Sequence, residues 1–110
     1  MSSARTDNQK LAEIITLCFD LSMDGGVPEK LRPKFLVLGK RLRGTLINLL
    51  SAQFDSQTPK FIKANKKIEE VNKALKKTAE DLKEIADTIE QIGKLVGILD
   101  GLLGIAVSFV

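Results

Sequence analysis

The stretch that decides the fold is IEEVNKALKKTAEDLKEIADTIEQI, Ile68 to Ile92, running into GKLVGILDGLLGIAVSFV, Gly93 to Val110. Ile68, Leu75, Leu82, Ile89, Val96 and Leu103 stand seven residues apart, and Val71, Thr78, Ile85, Ile92, Leu99 and Ala106 fill the second seam position. Such an a/d pattern, with no proline inside it, is the signature of an α-helix that buries one stripe against another helix. Ile68, Val71, Leu75, Leu82, Ile85, Ile89 and Ile92 are therefore the expected pairing seam. Glu69–Lys73, Lys76–Glu80, Lys77–Asp81, Lys83–Asp87 and Glu90–Lys94 are opposite charges four apart, each contributing a few tenths of a kcal/mol to helix stability.

Upstream, the pattern predicts two shorter helices. Thr6-Asp7-Asn8-Gln9 reads as a capping box with Thr6 at the N-cap. Leu11, Ile14, Ile15, Cys18 and Leu21 follow at helical spacing to about residue 23, and Asp24-Gly25-Gly26 stops the run, with glycine free to take a left-handed C′ conformation. Pro33 suits the first turn of a second helix, 33–54, with Leu31, Phe35, Leu38, Leu42, Thr45, Leu46, Leu49 and Leu50 as its buried stripe. Asp55-Ser56-Gln57-Thr58-Pro59 reads as a turn. The expectation is one all-α domain over 1–110: a bundle or hairpin of three to four helices at about 7–23, 33–54 and 60–92, with 93–110 a glycine-containing continuation or fourth helix.

An unbroken helix of some fifty residues would be roughly 75 Å long, whereas the first two would cover about 24 and 33 Å. Two short helices cannot sheathe such a rod. Either the long helix breaks near Gly93 or Gly97 and folds back, or another molecule or lipid covers its surplus. Gly93, Gly97, Gly101 and Gly104 give the tail a smooth face on which a second helix could approach closely, opposite Val96, Leu99 and Leu103. Ile92 to Val110 would span about 28 Å, near the hydrocarbon thickness of a bilayer. Its apolar residues favour insertion by about 4–5 kcal/mol, and Asp100 opposes it by about 3.

Of 110 residues 44% are hydrophobic, there is no His, Trp or Tyr, and the net charge is +3. Lacking histidine, the chain has neither the commonest general base nor the commonest metal ligand. Its single cysteine, Cys18, excludes an internal disulfide framework. Asp20, Ser22, Asp24 and Gly25 resemble the first half of an EF-hand calcium loop. Position 12, which needs a bidentate Glu, is Leu31, and Pro28 takes position 9, so no metal site and no cofactor is expected. The N-terminus lacks a basic-then-apolar signal pattern, which leads to an expected cytoplasmic location with membrane association.

Charge is unevenly spread. Lys40, Arg41 and Arg43 lie off the apolar stripe of the second helix, where they would meet an anionic surface. Seven lysines between 60 and 77 precede the acids Glu80, Asp81, Glu84, Asp87 and Glu90, so antiparallel pairing of these halves would be attractive. No aromatic residue interleaves with the cations to stack bases, which disfavours nucleic acid. The layout is similar to helical membrane-active modules in general. The functional expectation is a non-enzymatic, self-assembling module that associates with membranes through Gly93, Val96, Gly97, Leu99, Asp100, Gly101, Leu103 and Gly104, as an anchor or pore-forming effector. The alternative is a soluble oligomerisation or adaptor bundle whose partner is a second copy or another helical protein.

Overall fold

A computed structural model describes residues 3–108. Four helices, α1 (Asn8–Ser22), α2 (Arg32–Leu50), α3 (Pro59–Glu80) and α4 (Ile85–Leu103), form an all-α bundle. Three short strands, β1 (Ser3–Ala4), β2 (Ala52–Asp55) and β3 (Val107–Ser108), pair antiparallel in the order β1-β2-β3. Ser3 stands opposite Asp55 and Ala4 opposite Phe54, while Ala52 faces Ser108 and Gln53 faces Val107.

The long heptad run breaks, but not at a glycine. α3 ends at Glu80, Asp81 takes an extended conformation (φ −141°, ψ 110°), and a 3-10 turn over Leu82–Glu84 leads into α4. Asp81 Oδ1 accepts the Lys83 amide at 3.2 Å, occupying a donor that the new helix start would leave free. This corrects the expectation of a helix over 60–92 that breaks at Gly93 or Gly97. The signal was in the sequence: Asp81 followed three residues later by Glu84, just before an apolar run, is a helix-start pattern. An uninterrupted heptad pattern concealed it, because a hairpin can continue the same a/d spacing on both arms.

Folding back at Asp81 removes the length mismatch. At 1.5 Å per residue, α3 and α4 are about 33 and 28 Å long and α2 is about 28 Å. The assembled bundle measures 47 × 22 × 19 Å. Each helix packs on two others, α1 on α2 and α3, and α4 on α2 and α3. Each hairpin is antiparallel, and the hairpins stack so that α1 runs parallel to α3: Asp7 N donates to Asn65, Asn72 Nδ2 to the Lys10 carbonyl, and Lys76 pairs with Glu13. β2 carries the chain diagonally from α2 to α3, and the small sheet closes the end where all three strands lie. Strand pairing is why α2 stops at Leu50 rather than near residue 54, and Phe54 instead stacks on Phe61 with ring centroids 5.5 Å apart. It also takes residues 107–108 out of the expected helical tail; Phe109 and Val110 lie outside the described residues.

The seam residues Ile68, Val71, Leu75, Ile85 and Ile92 are buried, with Leu82 and Ile89 half-buried beside them. They meet Leu11, Ile14 and Cys18 of α1 and Phe35, Leu42 and Leu49 of α2 in one core. Leu50, expected in the stripe of α2, is instead exposed, because the helix ends there and leaves it no neighbour to pack against. Among the described residues every buried polar side-chain atom has a partner: the Thr78 and Thr88 hydroxyls meet at 2.7 Å between α3 and α4, and Thr45 donates to the Arg41 carbonyl. Two local readings shift. The N-cap of α1 is Asp7, whose carboxylate accepts the Lys10 amide, while Thr6 bonds Asn8. Among the described residues no glycine has positive φ, so α1 ends through turns and an Asp24 side-chain bond to the Gly26 amide. Arg32 holds this loop, donating to the carbonyls of Val27 (2.9 Å) and Gly25 (3.1 Å).

Candidate functional site

The residues singled out in the tail divide between inside and outside. Val96 and Leu99 are buried in the core and Leu103 is half-buried, whereas Gly93, Gly97, Asp100, Gly101 and Gly104 face outward. Helical periodicity explains the division: α4 presents its bulky residues to α2 and α3 and keeps its small ones for the surface. A Cβ placed at Gly93, Gly97 or Gly101 would meet nothing within 4 Å. Close packing within the bundle therefore does not account for these glycines, each of which weakens a helix by about 1 kcal/mol relative to alanine. Gly39 of α2 is the contrasting case. It is buried at the α1–α2 crossing, and a Cβ there would lie 3.2 Å from Cys18 Cβ and 3.2 Å from the Phe19 ring.

Beside the outward glycines runs an apolar groove of about 410 Å³ between α2 and α4, lined by Pro33, Lys34, Val37, Leu38, Ile89 and Gly93. Further along, Arg41 and Asp100 pair at 3.5 Å, so α2 and α4 run parallel. Both side chains are more than half exposed, so the pair contributes under about 1 kcal/mol. Asp100, read from sequence as the main cost of membrane insertion, is thus a surface partner of Arg41. Of the other two expected anionic-surface contacts, Lys40 is exposed and the Arg43 guanidinium stacks 5.5 Å from the centre of the Phe19 ring.

The exposed apolar residues of α2 were not singled out as a surface. Leu36, Val37, Ile47 and Leu50 lie at the surface, Val37 56% and Ile47 63% exposed. Val37 and Gly44 are seven residues apart and share a face of the helix, and a Cβ at Gly44 would also meet nothing. The sequence signal was the width of the apolar arc, since Leu36, Val37 and Ile47 fall outside the stripe through Phe35, Leu42 and Leu49. A second groove, on the α3–α4 side, is lined by lysines.

Among the described residues no helix is long and apolar enough to cross a membrane, and no group of three or more Cys, Asp or Glu is placed to hold a metal ion. The Cys18 thiol is buried, and loss of hydration pushes its pKa up to about 12, so it is not a nucleophile at neutral pH. No protein-family model, no curated protein and no solved structure matches this chain.

Proposed function

We propose that this chain is a non-enzymatic helical interaction module that self-associates through the outer face of α2 and α4. The observation that carries this reading is an apolar groove between α2 and α4, walled by Gly93, beside further exposed glycines of α4 (Gly97 and Gly101) that no contact within the single chain explains. A second copy is favoured by charge. α2 carries Arg32, Lys34, Lys40, Arg41 and Arg43 and no acid, whereas α4 carries Asp87, Glu90 and Asp100 against Lys94. A two-fold pairing that lays α2 of one copy along α4 of the other sets opposite signs together and buries Val37 on both sides. The glycines would let the backbones approach, which converts their cost in the free chain into contact area in the pair.

Insertion of residues 92–110 as a spanning helix has less support. It would strip Ile92, Leu95, Val96, Leu99 and Leu102 from the core, and each such side chain contributes about 1.5–3 kcal/mol when buried. The length mismatch that pointed to an outside cover is absent once the chain turns at Asp81.

Sedimentation equilibrium of the wild type and Val37→Glu tests the reading. Val37 is exposed, so the variant keeps its fold, and the expected result is a concentration-dependent dimer in the wild type that Val37→Glu abolishes. A wild type that stays monomeric up to millimolar concentration would overturn the proposal.

A further inference from the structure

The α3–α4 side of the bundle holds a larger groove of about 640 Å³, and its polar lining is almost entirely cationic. Lys63, Lys66 and Lys67 stand at positions i, i+3 and i+4 of α3, which puts them on one face, and the antiparallel hairpin brings Lys94 of α4 to the opposite wall. Glu70 is the one acid in the lining, so the groove carries a net charge of +3. Gly97 and Ile98 supply the remaining, apolar surface.

Two of the four lysines, Lys67 and Lys94, have a carboxylate within 4 Å; among the described residues Lys63 and Lys66 do not. Lys67 is only 15% exposed, and its ammonium is positioned by a hydrogen bond to the Gln91 side-chain oxygen. An ammonium has three N–H donors, and Glu70 at 3.9 Å is beyond hydrogen-bond length, so donors of Lys67 remain for a ligand. Lys94 stands 3.6 Å from Glu90, a surface pair of little strength.

We propose that this groove binds a phosphate group bearing more than one negative charge. Several converging ammonium groups, one of them fixed by Gln91, suit a compact anion approached from several sides. No guanidinium lines the groove, so an anion there is held by the point charges of ammonium groups and not by bidentate forks. Aromatic rings that would stack a base are missing from the lining, so the phosphate and not a nucleoside is what is recognised. The same chemistry could reach the groove as a soluble polyphosphate or as a phosphomonoester lipid headgroup whose apolar body lies along Gly97 and Ile98. The groove shares Gly97 with the outward glycines of α4, but its lysines lie on the α3 side, and binding does not depend on self-association.

The test is a titration of the isotopically labelled full chain with inorganic pyrophosphate, followed by amide chemical shifts. Saturable shifts centred on Lys63, Lys67, Lys94, Gly97 and Ile98 are expected. Lys63→Gln/Lys66→Gln, at two exposed positions, should weaken binding about tenfold, each lost charge contributing somewhat under 1 kcal/mol. Lys34→Gln/Lys40→Gln removes the same net charge from α2 and should change binding less than about twofold. Shifts that do not saturate, or equal weakening by the two double variants, or weakening by neither, would overturn the site. Vesicle flotation separates the sources: recovery with phosphatidic acid over phosphatidylserine at matched surface charge, lost in Lys63→Gln/Lys66→Gln, assigns a lipid phosphate. Pyrophosphate binding without flotation assigns a soluble one.

Discussion

Replacing Gly97 by alanine should make the free chain more stable, by an amount that can be worked out from its surroundings. The residue lies inside α4, and a Cβ there meets nothing within 4 Å, so the substitution adds no strain. The gain is the backbone entropy that glycine loses on entering a helix, about 1 kcal/mol. Gly93→Ala and Gly101→Ala meet the same open space, and the triple variant should gain about 2–3 kcal/mol. For a chain of this size a urea slope of about 1–2 kcal/mol/M converts each substitution into a rise of about 0.5–1 M in midpoint, or about 4 °C in Tm. Gly39→Ala has the same propensity gain but forces contacts of 3.2 Å on Cys18 and Phe19, an overpacking cost of about 1–3 kcal/mol. It should leave stability unchanged or lower it. Urea unfolding followed by circular dichroism in dilute solution is the assay. A Gly97→Ala midpoint at or below wild type, or a Gly39→Ala midpoint raised as much as the others, would refute the assignment of these glycines to open and closed surroundings. Raising the protein concentration adds a second readout: if copies pair through this face, the wild type gains stability from association that the alanine variants partly forgo, and the difference narrows.

Two further outcomes follow from the interior. Thr88→Val should cost about 1–2 kcal/mol by leaving the buried Thr78 hydroxyl without its 2.7 Å partner, and adding Thr78→Val should recover part of that loss, measured as a double-mutant cycle in urea. Cys18 should resist a thiol reagent at pH 8 in the native protein and react at once in denaturant. Because its folded pKa is raised from 9.0 to about 12, the folded thiol keeps its proton where the unfolded one loses it. Its contribution to stability is fully present below pH 9 and is lost as pH rises towards 12; alkaline unfolding of Cys18→Ala should lack that component.

How far the fold could be read from the chain differs by element. The seam from Ile68 to Ile92 is legible because a helix buries every third or fourth residue wherever it packs, whatever it packs against. The turn at Asp81 was harder: an extended helix and a hairpin share the same apolar spacing, and only the Asp81/Glu84 helix-start pattern distinguishes them. The strands were not legible at all. Two-residue strands and a four-residue β2 have too few positions for an alternation to register, and they form because the bundle brings the segments before α1 and after α4 to either side of β2.

The candidate sites show the same division. Lys63, Lys66 and Lys67 share a helix face on spacing alone, but Lys94 joins them only through the hairpin. Asp100 looks like a misplaced charge in an apolar tail until Arg41 is brought beside it. The amino-acid order determined which residues are helical and which side of each helix is apolar, since both follow from local propensity and a 3.6-residue period. Tertiary structure alone decided which glycines stay open and which charges meet, because those depend on contacts between residues tens of positions apart.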